Sequence, residues 1–234
     1  MVLTNVIFDF DHTLVELGPH VDWRQAIRDI ERIYLEEGIP PPIVEQSKGV
    51  GFRMMRQVYD YMLGALPQER VLQIQSRAFN ALESHELRGA ERATPVEGVE
   101  GVLSWLRSSD FQCAIVSSNG TGTVERSLAC LGLSHFFCRV FGRDASHRLK
   151  PYPDQNQACL NALGWQPAET VLVGDSPDDI ESAKPLSIFT VGVVSGLAKQ
   201  DRLIGAGADR IIANFSELPA AIQSAQAANV KAGG

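Results

Sequence analysis

The sequence predicts an α/β protein: a doubly wound parallel sheet with an all-helical domain inserted after its first strand. Three observations predict it. The apolar run Val6-Ile7-Phe8 reads as a buried strand and stops abruptly at two carboxylates, Asp9 and Asp11. From Thr94 onward the pattern alternates strand and helix, which argues for parallel strands with helical crossovers on both faces. Between these two regions the periodicity is helical throughout.

The N-terminal strand has no partner close by in sequence, so it joins the later sheet. Residues 1–16 and 93–234 then form the core and 17–92 the inserted helical domain. Within the insertion, Trp23, Ile27, Ile30 and Tyr34 recur at helical spacing, and Gly38 with Pro40, Pro41 and Pro42 ends that helix. Phe52, Met55, Tyr59 and Met62 mark another helix, ended by Gly64. Pro67 opens a further long one carrying Val71, Ile74, Ala78 and Leu82. Methionines and aromatics at this spacing read as core rather than as the lining of a ligand pocket. The later strands are expected at 112–117, 136–141, 170–173, 188–193 and 210–213, and the tail is expected to fray beyond Gln226.

Bulk properties narrow the function classes. The chain has 234 residues, 44% of them hydrophobic, enough for a sizeable core. A net charge of -7 and only five lysines leave no basic stripe, which speaks against nucleic-acid binding through phosphate neutralisation. Cys113, Cys130, Cys138 and Cys159 stand singly, without zinc spacing, and read as reduced thiols. No apolar run approaches the ~20 residues that span a bilayer, and no leader pattern opens the chain. A cytoplasmic protein, monomer or homodimer, is expected.

In open sheets of this kind ligands bind beyond the carboxyl ends of the strands. Asp9 and Asp11 are two like charges that need a cation between them or a shared proton, although a turn and a helix cap would use the same residues. Ser117, Ser118 and Asn119 end a second strand ahead of Gly120-Thr121-Gly122-Thr123. That turn suits a phosphate at a helix N-terminus and equally an ordinary cap by Thr121 or Thr123. Lys150, in Leu149-Lys150-Pro151-Tyr152-Pro153, is either a point charge for a phosphoryl oxygen or a surface lysine. A third strand ends in Gly174-Asp175, followed by Asp178 and Asp179, one of which complements a helix dipole. Several carboxylates gathered with backbone and water oxygens make a hard-oxygen site of the kind that takes magnesium.

These four stretches, Asp9-x-Asp11-x-Thr13, Ser117, Lys150 and Gly174-Asp175-x-x-x-Asp179, resemble in order, spacing and strand context the motifs of the haloacid dehalogenase-like hydrolases. The likeness covers essentially the whole chain. The helical insertion, the run from Val191 to Gly196 and the Gly205-Ala206-Gly207-Ala208-Asp209 segment are similar to the phosphoglycolate phosphatase-like branch, with its Rossmann-like core and helical cap. The resemblance implies a Mg²⁺-dependent phosphomonoesterase acting on a small phosphorylated metabolite. Asp9 would be the nucleophile forming an aspartyl-phosphate, and Asp11 the acid and then the base. It further implies a magnesium site of Asp9, the Asp11 carbonyl and Asp175, and a phosphate site of Ser117, Ser118, Asn119 and Lys150. Thr13, Gly174 and Asp179 would support them, Asp179 by orienting Lys150.

One departure is His12, where many relatives carry Gly; histidine tolerates the unusual backbone angles such a turn demands, and its ring could face the substrate. The loop Lys48-Gly49-Val50-Gly51-Phe52-Arg53 looks like the cap loop that closes over the site, and Arg53 is its candidate for gripping a second acidic group. A phosphomutase would use the same aspartates, and a product assay separates the two. A non-catalytic phosphate-binding module would be expected to lose Asp9 or Asp11.

Overall fold

The computed structural model describes residues 2–46, 51–194 and 200–232. Its first strand, β1 (Asn5–Phe8), is fully buried, and a short strand β2 (Val15–Glu16) follows a tight turn. Four helices come next: α1 (Trp23–Glu36), α2 (Pro41–Glu45), α3 (Gly51–Ala65) and α4 (Gln68–Ala90). Strand β3 (Thr94–Pro95) then pairs antiparallel with β2. The remaining elements alternate: α5 (Val99–Ser108), β4 (Gln112–Gly120), α6 (Thr121–Cys130), β5 (Arg139–Arg143), α7 (Asp154–Leu163) and β6 (Thr170–Gly174). The chain closes with α8 (Pro177–Ala183), β7 (Phe189–Val193), α9 (Gln200–Gly205), β8 (Arg210–Ile212) and α10 (Leu218–Ala232).

Six strands form one parallel sheet in the order β5-β4-β1-β6-β7-β8, as the alternating pattern requires. The chain winds outward from β1 on one side and then returns to the other, so the switch point lies at the end of β1. Both faces are covered. Val6 and Phe8 pack with Cys113, Ile115, Val171 and Val173 into one apolar layer; Ile7 packs with Ala114, Val116 and Leu172 into the other. This period-2 division explains why the central strands read as continuous apolar runs. The four helices have a third core of their own, built on Ile30, Tyr34, Met54, Met55, Met62 and Ile74, so the buried methionines are packing groups.

Several boundaries differ from expectation, each for a local reason. Residues 136–141 do not form one strand: Ser134–Phe136 is a 3-10 turn and pairing starts at Arg139, because Phe136 and Phe137 pack against the core from the turn. Gly64 does not stop α3, which ends at Ala65; the stop comes from Pro67, whose ring disfavours helical geometry at Leu66. Strand β4 runs on to Gly120 through a register shift between Val116 and Gly120. Helix α10 continues past Gln226 to Ala232. Among the described residues no helix is long and apolar enough to cross a membrane.

Candidate active site

Three strand ends build the site. Asp9 follows β1, and its N–H donates to Val173 O at 2.8 Å, so it stays alongside β6. Thr13 Oγ1 donates to Asp9 Oδ2 at 3.3 Å from a fully buried position. The chain then turns sharply. His12 takes φ 62°, the left-handed region expected where relatives carry glycine. Its Nδ1 lies 2.7 Å from Glu16 Oε2, and its Nε2 is 3.9 Å from Asp11 Oδ2. The Asp11 carboxylate is pinned by the N–H groups of Leu17 and Gly18 at 2.8 and 3.0 Å, the first residues beyond β2.

Lys150 is 3% exposed and donates to Asp9 Oδ1 at 2.9 Å, Asp179 Oδ1 at 2.7 Å and Val116 O at 2.7 Å, so it is no surface lysine. Burial alone would favour the neutral amine, but Asp179 and Asp9 outweigh it and hold Lys150 cationic, above the ordinary lysine range. Asp9 goes the other way. Burial, reinforced by Asp179, pushes it up to about 6 despite Lys150. Burial also raises Asp11, against the pull of His12.

The end of β6 supplies the remaining acids. Ser176 and Asp179 form a reciprocal capping box at the start of α8, which leaves Asp179 Oδ1 for Lys150. A Cβ on Gly174 would lie 2.5 Å from Asp179 Cβ, so only glycine lets the strand pass this close. Asp9, Asp175 and Asp179, all buried, each offer a carboxylate oxygen within 4.8 Å of the others. This donor set fits a divalent hard cation: three acids face one lysine, and all donors are oxygen. Asp179 thus stands with the acids as well as with Lys150, whereas the Asp11 carboxylate is directed to the Leu17 and Gly18 amides.

These groups open into a cavity of about 320 Å³, also lined by His12, Phe52, Arg56, Ser118, Asn119, Asp178 and Arg202. Two expected residues are displaced from it. Ser117 is buried behind the wall, its Oγ donating to Asn119 Oδ1 at 3.1 Å, while beyond the register shift in β4 the equally expected Ser118 and Asn119 do line the pocket. Arg53 is exposed on α3 and does not line the cavity; Arg56, one turn on, does, and donates to Asp178 Oδ2 at 2.6 Å. Phe52 and Arg56 share a face at four-residue spacing, the signal that would have found the arginine. Lys48, Gly49 and Val50 of the expected cap loop, and Ser195 and Gly196 of the later run, lie outside the described residues. The helix N-terminus at α6 does take an anion, but from the protein: Glu83 Oε1 accepts from the N–H groups of Gly122 and Thr123 at 2.7 and 3.3 Å.

A sequence profile described as "Haloacid dehalogenase-like hydrolase" matches residues 6–193, from β1 through β7. The chain belongs to the haloacid dehalogenase-like hydrolases. This hydrolase is 25% identical over 225 residues to pyrophosphatase PpaX of Listeria welshimeri, covering 94% of this chain and 97% of the relative. It is 28% identical over 198 residues to the phosphoglycolate phosphatase of Pseudomonas putida, covering 82% and 69%. Solved structures share the fold. A predicted phosphatase from Clostridium acetobutylicum superposes with a TM-score of 0.69 at 18% identity, covering 96% of the hydrolase and 100% of that chain. A hydrolase from Pseudomonas syringae gives 0.66 at 22%, covering 94% and 98%.

Proposed function

We propose that the chain is a Mg²⁺-dependent phosphatase that cleaves small phosphorylated metabolites through an aspartyl-phosphate on Asp9. The observation that carries this reading is the buried Asp9–Lys150–Asp179 chain of ion pairs, with Asp175 beside it. A bound Mg²⁺, held by Asp9, Asp175 and either the Asp11 carbonyl or Asp179, would neutralise the acids and the substrate's phosphoryl oxygens.

Asp9 Oδ2 attacks phosphorus and the ester oxygen leaves, so a P–O bond to Asp9 replaces the P–O bond to the substrate. Lys150 stabilises charge on the phosphoryl oxygens while holding Asp9 in place. The raised pKa of Asp11 suits a group that donates a proton to the leaving alcohol; once ionised it draws a proton from the water that releases phosphate. Ser118 and Asn119 line the cavity at the end of β4, where that segment would meet the phosphoryl group. The helical unit of residues 17–92 serves as the cap.

The small cavity and the names of two relatives support a compact substrate. Pyrophosphate and phosphoglycolate both carry a second acidic group beside the phosphoryl group, and Arg56, like Arg202, is a cation on the pocket wall that could meet one. The test is phosphate release from a panel of phosphorylated acids, sugars, nucleotides and pyrophosphate with magnesium, beside Asp9→Asn and EDTA controls. Magnesium-dependent release by the parent alone is the expected result. Transfer of the phosphoryl group to a second position of the substrate, without free phosphate, would overturn it.

A further inference from the structure

Two glutamates of α4 turn away from the helical unit and press on the end of β4. Glu86 is fully buried; its Oε1 accepts from Asn119 Nδ2 at 3.1 Å and its Oε2 from the Gly120 N–H at 3.0 Å. Facing it is Arg143, the last residue of β5, whose two terminal nitrogens each meet one Glu86 oxygen at 2.9 Å. Neither side chain of the pair reaches solvent. The same guanidinium donates to Ser118 O at 2.6 Å and lies over the Phe79 ring of α4 at 5.2 Å.

We propose that the Glu86–Arg143 pair is a positioning device for the Ser118–Gly120 segment, making its grip on phosphate depend on the seating of α4. The proposal rests on the reading above only in assigning phosphate to that segment. Its ground is the set of bonds behind the pocket wall that fixes this segment. Ser118 O goes to Arg143, Asn119 Nδ2 and Gly120 N–H go to Glu86, and Asn119 Oδ1 goes to Ser117 Oγ. The Asn119 amide is therefore fixed at both ends, and the Ser118 side chain is left on the cavity wall.

Stability alone does not account for such a pair. Taking two charges out of water costs about as much as their attraction returns, and apolar groups of similar volume often do as well. What apolar groups cannot do is hold three polar atoms of one segment in a single arrangement. Because Glu86 and Phe79 belong to α4 while Arg143 belongs to β5, the segment is clamped only when helix and strand meet. Neither residue touches substrate, so both act through Ser118, Asn119 and Gly120.

The test uses the whole chain in two forms, with magnesium throughout. Glu86→Leu combined with Arg143→Met replaces the pair by apolar groups and removes the clamp while preserving the packing. Arg143→Lys keeps a charge opposite Glu86 but cannot span both carboxylate oxygens and Ser118 O, and it serves if the double variant fails to fold. The readouts are the thermal unfolding midpoint, the dissociation constant for inorganic phosphate, and kcat and KM for p-nitrophenyl phosphate.

The expected result is a folded variant whose phosphate affinity falls by about tenfold or more, the loss of one charge-assisted hydrogen bond. KM should rise in parallel, and in an Asn119→Ala background the further loss should be much smaller, since coupled residues are not additive. Unchanged phosphate affinity and KM in a folded variant, or full additivity with Asn119→Ala, would overturn the proposal. A parent that binds phosphate yet hydrolyses no ester would sink the phosphatase reading alone, because affinity still reports on the clamp.

Discussion

Arg56 of α3 and Asp178 of α8 stand 2.6 Å apart at the rim of the cavity, and the same arginine nitrogen donates to the Lys150 carbonyl at 2.5 Å. The helical unit and the sheet therefore meet at the rim of the cavity. Tyr152 Oη reinforces the junction by donating to Asp60 Oδ2 at 2.9 Å. Asp178 is 42% exposed while Arg56 is 18% exposed, so the carboxylate is the partner that solvent can reclaim. On the proposed function, an acidic group arriving with substrate would compete with Asp178 for a cation already in position.

That competition predicts a selective effect of Arg56→Ala. KM for substrates with a second acidic group should rise by about tenfold or more, the loss of one hydrogen bond between charged groups. With p-nitrophenyl phosphate, which has no such group, KM should hardly change. Steady-state kinetics on the two substrate types decide it, and an equal rise on both would remove Arg56 from substrate recognition.

Lys150→Met should abolish phosphate release and also weaken the fold. Removing the lysine leaves Asp9 and Asp179 buried and facing each other, and breaking a buried pair in this way costs about 3–5 kcal/mol. Urea denaturation should show a lower midpoint than the parent. Magnesium should recover part of the loss by replacing the missing positive charge.

The raised Asp9 pKa predicts how stability without magnesium varies with pH. Between 3.8 and about 6 the folded chain binds a proton at Asp9 that the unfolded chain has released. Folding then loses stability as pH rises through that window, and the contribution is fully present only below it. Asp9→Asn cannot ionise, so its unfolding midpoint relative to the parent should improve from acid to neutral pH. A difference that stays flat, or reverses, would contradict the assignment.

Gly174→Ala tests the close approach beneath the acids. The new methyl would meet Asp179 Cβ at 2.5 Å, inside any real contact distance. Overpacking of this kind costs about 1–3 kcal/mol, and shifting Asp179 disturbs both Lys150 and the Ser176 cap. Lower stability with activity lost is the expected outcome. A variant with parental kinetics would show that Asp179 need not stay where it is.

The sheet was legible because its residues obey one rule at a time. Val6, Ile7 and Phe8 alternate between two apolar layers, and an apolar run that stops at an acid marks a strand end. Asp9, Lys150 and the Asp175/Asp179 pair lie far apart in sequence, yet the structure brings them together. Ser117, Ser118 and Asn119 are expected together at the phosphate site, and the structure puts Ser118 and Asn119 on the cavity with Ser117 behind them, because a register shift is a property of paired strands, not of one strand's sequence. Arg56 was missed because Arg53 lay in the segment that looked like a loop, whereas helical geometry turns Arg53 outward. Glu86 and Arg143 sit among other charged residues, and nothing in the local pattern tells a solvated charge from a buried one until α4 is laid against β4.

The chain enters and leaves the four-helix segment through the β2–β3 ribbon, where Val15 opposes Pro95 and Glu16 opposes Thr94. Entry and exit through one doorway make the segment exchangeable. A foreign stretch spliced between Glu16 and Thr94 would keep the β2–β3 pairing but would have to replace the Leu17 and Gly18 amides that pin Asp11 and the buried Leu17 and Ala93, while the added length of a loop closed this way costs little stability. The seam elsewhere is less forgiving. Whatever replaced α4 would have to bring its own two acids, one turn apart, to meet the amides of Gly120, Gly122 and Thr123. In a lineage that changes substrates by recombination, those two positions would travel with the incoming segment while the residues around them drift.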